Sequence, residues 1–336
     1  MKLTLASMGA YALGPGLAPA AQAADAPFVW AGVGGRWAEM VVEAFIKGTT
    51  FEGKVSQSAQ VETIATSKIL AACGNAPFAV SNNGPAEAAL MAQGKCLLPY
   101  DKSNIALLDD LVPAARSDDY FGAFCILGFG LLWNTKEAKE PASFEDMWKP
   151  EYKGRIAIPA YGWYGQYWLH AMNKVLGGNE NDVSPAIKMI SKLVREHDAV
   201  LMENNDHAVR LIQSGQVIMA PYWNGSTARL KADGTPVEFK YVPGTLAFGS
   251  GFVIPASSSN PDQAQAFIAN TLDPVRQQQF SIISRYPPAS TKAVLPPEHQ
   301  SVALPPEAAK NFAQLDWGLV NGTRDKNLEL WNRQVL

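Results

Sequence analysis

The stretch PASFEDMWKPEYKGRIAIPA at 141–160, taken with GQVIMAPYWNGSTA at 215–228, decides how this chain folds. In the first, Ser143 reads as an N-cap with Glu145 and Asp146 in the first turn. KPEYKG is a basic, Pro-containing stop, and Ile156-Ala157-Ile158 is an apolar run suited to a buried strand. The second stretch repeats that grammar. Asp206 is expected to cap the helix HAVRLIQSG, Gly215 to end it, and QVIMAPYW to run as an apolar strand into the polar loop WNGS.

Working outward, FVWAG precedes WAEMVVEAFIKG, PFAVS precedes PAEAALMAQG, and GRIAIPA precedes WLHAMNKVLGG. Short apolar runs alternating with helical periodicity predict an α/β fold with mostly parallel sheets. No repeat of fixed period and no low-complexity segment interrupts them. Two runs are long and punctuated by glycine: YFGAFCILGFGLLWN at 120–134 and VEFKYVPGTLAFGSGFVIP at 237–255. They are expected to carry the chain from a first lobe to a second and back. The helix DQAQAFIANTL at 262–272, capped by Asn260-Pro261, is expected to pack on the first lobe.

DMWKPEYKG, WNGS, GFVIP at 251–255 and RYPPAS at 285–290 resemble the spermidine/putrescine-binding branch of the periplasmic solute-binding proteins of ABC transporters. The likeness spreads over roughly residues 28–336. It implies a two-lobed type II periplasmic-binding-protein fold, α/β in class, each lobe a mostly parallel sheet flanked by helices, the two joined by a hinge of extended crossings. The expected division is a signal peptide at 1–23, an N-lobe from 24–127 plus 249–290, and a C-lobe from 128–248 plus 291–336. Discontinuous lobes of this kind close on a solute by hinge motion. The resemblance implies a receptor that delivers a small-molecule solute to the transmembrane permease subunits of an importer, a monomer without cofactor or chemical step. The same cleft also suits a ligand-loaded partner of a periplasmic sensor.

The N-terminus fits export. Lys2, an apolar middle and the small-residue site Ala21-Gln22-Ala23 predict a secretory signal cleaved after Ala23, hence a periplasmic protein. After residue 24 no run reaches the roughly 18 uninterrupted apolar residues of a membrane span, so no membrane insertion is expected. About 310 residues would remain, enough for two lobes. A net charge of −3 from 28 basic and 31 acidic residues leaves no footprint for nucleic acid. Of the three cysteines, Cys73 and Cys96 flank one strand–helix unit and are expected to pair, while Cys125 lies in an apolar run as a core thiol.

Ligands of open α/β sheets bind beyond the carboxyl ends of strands, which directs attention to the loops 32–37, 81–84, 160–164, 223–226 and 247–251. In the first, Gly34 and Gly35 allow close approach of backbone amides, Arg36 suits an anionic group, and Trp37 offers a ring. The second holds Asn82 and Asn83, each both donor and acceptor. In the third, Tyr161, Tyr164 and Trp168 share a face on a helical path; Tyr161, Trp163 and Tyr164 are candidate ligand walls, with a plain core role as the alternative.

The resemblance assigns Trp223 as a ligand-stacking ring and Phe248 as a second wall. It places Ser250 where polyamine binders carry a carboxylate, and no acidic residue lies between Tyr152 and Asn179. A desolvated ammonium without paired charge forfeits several kcal/mol. These losses favour a small organic acid or zwitterion received by Arg36, the glycine turn and Arg285; a polyamine is the alternative.

Iron(III) binding is disfavoured by the lack of a Tyr-Tyr pair, and His170, His197, His207 and His299 have no metal spacing. Catalysis is disfavoured as well, since GxSxG, HExxH, a Walker loop and CxxC are all missing, leaving Cys125 the one conceivable nucleophile.

Overall fold

The computed structural model describes residues 27–336; the expected signal peptide lies outside the described residues. The strands are β1 (Phe28–Gly32), β2 (Val55–Ala59), β3 (Val80–Asn83), β4 (Leu97–Leu98), β5 (Ala123–Asn134), β6 (Ala157–Pro159), β7 (Val200–Met202), β8 (Met219–Trp223), β9 (Val237–Lys240) and β10 (Leu246–Pro255). The helices are α1 (Arg36–Val41), α2 (Glu62–Ala71), α3 (Pro85–Gln93), α4 (Lys102–Leu108), α5 (Gln166–Val175), α6 (Ser184–Arg195), α7 (Asn205–Gln213), α8 (Asn224–Ala232), α9 (Pro261–Leu272), α10 (Pro274–Ser284), α11 (Trp317–Gly322) and α12 (Arg324–Gln334).

The main sheet has the order β2-β1-β3-β10-β5-β8, with β4 on β10 and β9 on β5. At one end β1 runs parallel to β2 and β3; at the other, β6 and β7 are parallel and reach β8 through the parallel bridge Ile156 to Met219. The strands β5 and β10 lie antiparallel between these ends. β5 pairs with β10 from Ala123 to Phe129 and with β8 from Phe129 to Trp133, so a single strand belongs to both lobes. β10 pairs with β3 through Gly251, Phe252 and Val253 after a register shift at Ser250/Gly251. The fold is thus the expected two-lobed α/β arrangement joined by extended crossings.

Local corrections have plain causes. The run 237–255 is two strands rather than one: at Pro243-Gly244 the chain turns, with Gly244 at φ 85° against Val175, a place with no room for a Cβ. Only β10 makes the return crossing, while β9 pairs with the far half of β5. The cap of α7 is Asn204, whose Oδ1 accepts from the His207 amide at 2.9 Å, and Asp206 sits in the first turn. Ser143 forms the expected cap, closed reciprocally by Asp146.

Aromatic rings fill the N-lobe core. Phe124 lies 4.9 Å from both Phe45 and Phe280, and Phe252 packs on Phe267 at 5.0 Å and on Trp30 at 6.0 Å. Each such ring removed from water stabilises the fold by about 1.5–3 kcal/mol. Cys73 and Cys96 are joined, with Cα atoms 4.9 Å apart. Cys125 is free and fully buried, and burial holds its thiol well above the usual range, which is unfavourable for a nucleophile. Among the described residues no helix is long and apolar enough to cross a membrane.

Candidate functional site

The seam between the lobes is walled by aromatic rings. Trp223, the last residue of β8, faces Phe129 of β5 at 4.6 Å and Tyr164 at 4.7 Å, while Phe248 of β10 stands 5.9 Å from Tyr164 and 6.0 Å from Trp223. Trp163 closes one edge against Phe129 and Tyr164. Tyr167 of α5 and Trp317 of α11 close another, each within 5.7 Å of Phe248.

Backbone geometry explains why Tyr164 joins this wall and Tyr161 does not. Tyr164 sits at φ 60°, ψ −5°, so the helical path expected from Tyr161 to Trp168 is broken. A non-glycine residue in that region costs on the order of 1–3 kcal/mol, a strain that recurs at functional sites. Tyr161 instead donates its hydroxyl to the Arg324 carbonyl at 2.7 Å and packs on Trp331, inside the C-lobe.

A polar strip runs beside the rings. Trp37 Nε1 donates to Asn82 Oδ1 at 2.9 Å, and Asn82 Nδ2 donates to Ser250 Oγ at 3.0 Å and to the Gly251 carbonyl at 2.8 Å. Asn83 Nδ2 donates to Thr66 Oγ1 at 3.1 Å, leaving its buried Oδ1 without a partner. The turn holding Gly34 and Gly35 leads to Arg36, which points to solvent: its side chain is 65% exposed and pairs with Glu39 at 3.0 Å. Arg285 turns its guanidinium to His299, Nη1 standing 3.0 Å from Nδ1. Neither of the two expected anion-receiving arginines reaches the wall.

The inference that the cleft lacks carboxylates is overturned. Glu62, first residue of α2, and Glu87, in the first turn of α3, enter the seam from the N-lobe. Tyr167 donates to Glu87 Oε1 at 2.8 Å, and the Tyr164 hydroxyl stands 3.5 Å from Glu62 Oε2, so both contacts cross between lobes. Among the described residues neither carboxylate belongs to an ion pair. Burial first, then the negative field of Glu87, push the Glu62 carboxyl up to about 8, an effect the Tyr164 hydroxyl only partly offsets. Burial and the same two carboxylates hold the Tyr164 hydroxyl well above its ordinary range.

Sequence reasoning missed Glu62 because VSQSA at 55–59 alternates polar residues and did not read as a strand, so the loop after it was never considered. Glu87 was hidden as an ordinary acidic residue in a helical first turn, although it lies three residues beyond the flagged Gly84.

A model of the family described as bacterial extracellular solute-binding protein matches residues 40–309. The chain belongs to this family. It is a family of receptors, not of enzymes, and is extracellular. Among curated relatives, the chain is 25% identical over 198 residues to spermidine/putrescine-binding periplasmic protein 1 of Haemophilus influenzae, covering 58% of the chain and 51% of that protein. It is 26% identical over 184 residues to the spermidine/putrescine-binding periplasmic protein of Escherichia coli, covering 53% and 52%. The chain spans about half the length of the curated relatives it matches. Its fold is that of a solute-binding protein from Bordetella parapertussis, at TM-score 0.78 and 18% identity over 92% of the chain and 98% of the other. An ABC transporter structure from Clostridium perfringens follows at 0.75 and 19%, covering 92% and 100%.

Proposed function

We propose that this chain is the periplasmic solute receptor of an ABC importer, and that its solute binds through an ammonium group held by Glu62 and Glu87. The observation that carries the reading is the pair itself: a buried Glu87 and a half-buried Glu62 beside aromatic walls, with no cation paired to either among the described residues. Leaving such charge unpaired costs several kcal/mol, and a protonated amine relieves it with charge-assisted hydrogen bonds while the rings receive its carbon chain. The orphaned Asn83 Oδ1 is a further acceptor for the same donors. The two arginines expected to receive an anion are engaged elsewhere, Arg36 with Glu39 and Arg285 with His299.

The names of the curated relatives, which specify spermidine and putrescine, agree with an amine. Closure is stabilised by the contacts the solute makes in both lobes, and the closed form is what docks on the permease. Titration calorimetry on the signal-free chain at pH 7.5 tests this, with n-butylamine, putrescine and 4-aminobutanoate against succinate and benzoate. Amine-bearing probes should bind, and the Glu62→Gln/Glu87→Gln double variant should lose at least tenfold in affinity. Binding of the two acids with silence from every amine would refute the reading.

A further inference from the structure

The seam has a second end of opposite sign. From Glu62 the wall passes through Tyr164 to Trp223, and two residues on, at Gly225, a Cβ would stand only 2.7 Å from the Tyr286 ring. The Tyr286 ring packs against Trp37 at 6.0 Å, and its hydroxyl is 3.2 Å from Ser226 Oγ in α8. One turn further along α8, Arg229 lays its guanidinium over the Tyr286 ring, 5.6 Å from the centroid. Its Nη2 donates to Ser226 Oγ at 2.8 Å and its Nη1 to the Ser284 carbonyl at 2.6 Å. Among the described residues no carboxylate is paired with it. Along this chain of contacts two acidic groups stand at one end and one arginine at the other, with uncharged rings and a hydroxyl between them.

We propose that Arg229 selects charge at the hinge end, rejecting a second ammonium and receiving an anionic group, so that the solute is a zwitterion with amine and carboxylate at opposite ends. This rests on the amine reading above. A guanidinium has five N–H donors, of which the two bonds to Ser226 and Ser284 leave three for a carboxylate. The neighbouring Ser226 supplies a hydroxyl rather than the negative charge a second ammonium needs. A purely structural Arg229, clamping the end of α10 through Ser284, would make the same two bonds but would not discriminate between solutes. Selectivity is therefore the decisive readout.

Three four-carbon probes sharing one ammonium separate the readings: n-butylamine, putrescine and 4-aminobutanoate, titrated calorimetrically into the wild-type chain and the Arg229→Gln and Arg229→Lys variants. In the wild type, 4-aminobutanoate should bind at least tenfold more tightly than butylamine, and putrescine most weakly. Arg229→Gln should shrink the ratio of 4-aminobutanoate to putrescine affinity by about tenfold or more, and Arg229→Lys should keep the order. Should Arg229→Gln fail to fold, Ser226→Asp, which sets a carboxylate beside the guanidinium, should move the preference toward putrescine. Putrescine binding most tightly to the wild type, or a ratio unmoved by Arg229→Gln, overturns the proposal. Binding by all three without ranking sinks only the role of Arg229; binding by none sinks the amine reading as well.

Discussion

Glu62→Gln should make the solute-free protein more stable at neutral pH, a reversal of the usual penalty for altering a half-buried residue. The folded carboxyl titrates near 8 against an ordinary 4.5. Between those values the folded state holds a proton that the unfolded state has released, so stability falls as pH rises through the window. One pKa unit corresponds to about 1.4 kcal/mol, which sets an upper limit near 4 kcal/mol at pH 7.5. Partial exposure of the side chain and sharing of the proton with Glu87 reduce this to about 2 kcal/mol. Glutamine keeps the shape and removes the charge. Its melting temperature should therefore exceed the wild type by about 4 °C at pH 7.5 and coincide with it near pH 4.5. Differential scanning calorimetry across pH 4.5–8 without added solute measures the difference. A gap independent of pH, or a variant less stable at pH 7.5, would refute the placement of an unpaired carboxylate in the seam.

Gly225→Ala sets a Cβ 2.7 Å from Cδ1 and Cε1 of Tyr286. That ring is backed by Trp37 and held by Ser226, so relief requires the lobes to part; a cost of about 1–3 kcal/mol should weaken solute binding by about tenfold or more, and unchanged affinity would contradict the packing. Cys73→Ser/Cys96→Ser should lower unfolding stability by about 3 kcal/mol in urea, and a loss below about 0.5 kcal/mol would show that the bridge constrains little.

Much of the architecture was legible because it rests on local signals. The apolar runs that end in Gly32, Pro159 and Trp223 became strands, and the glycine-punctuated run at 120–134 became the crossing β5, since alternation of buried runs with helical periods is a property of neighbouring residues. Trp223, Phe248, Asn82 and Ser250 stand at strand ends or on the crossing β10, and the fold brings their loops to one seam. What escaped depended on distant partners or single dihedral angles. β2 carries VSQSA because it is an edge strand with solvent on one side, and its polar alternation concealed the loop that supplies Glu62. One positive φ at Tyr164 turned a predicted shared face into two destinations, with Tyr161 in the lobe core and Tyr164 in the seam. The Glu62–Glu87 pair arises only when α2 and α3 lie side by side, and no spacing along the chain encodes that.

The lobes share β5 and β10, strands hydrogen-bonded to each other from Leu246 to Gly251 and anchored in the sheets beyond. Any opening of the lobes is expected to twist this two-stranded ribbon, spreading the change over many peptide units rather than one pivot. A stiffer ribbon is expected to slow the escape of a bound solute, so release kinetics should be open to tuning by residues that never touch the cargo.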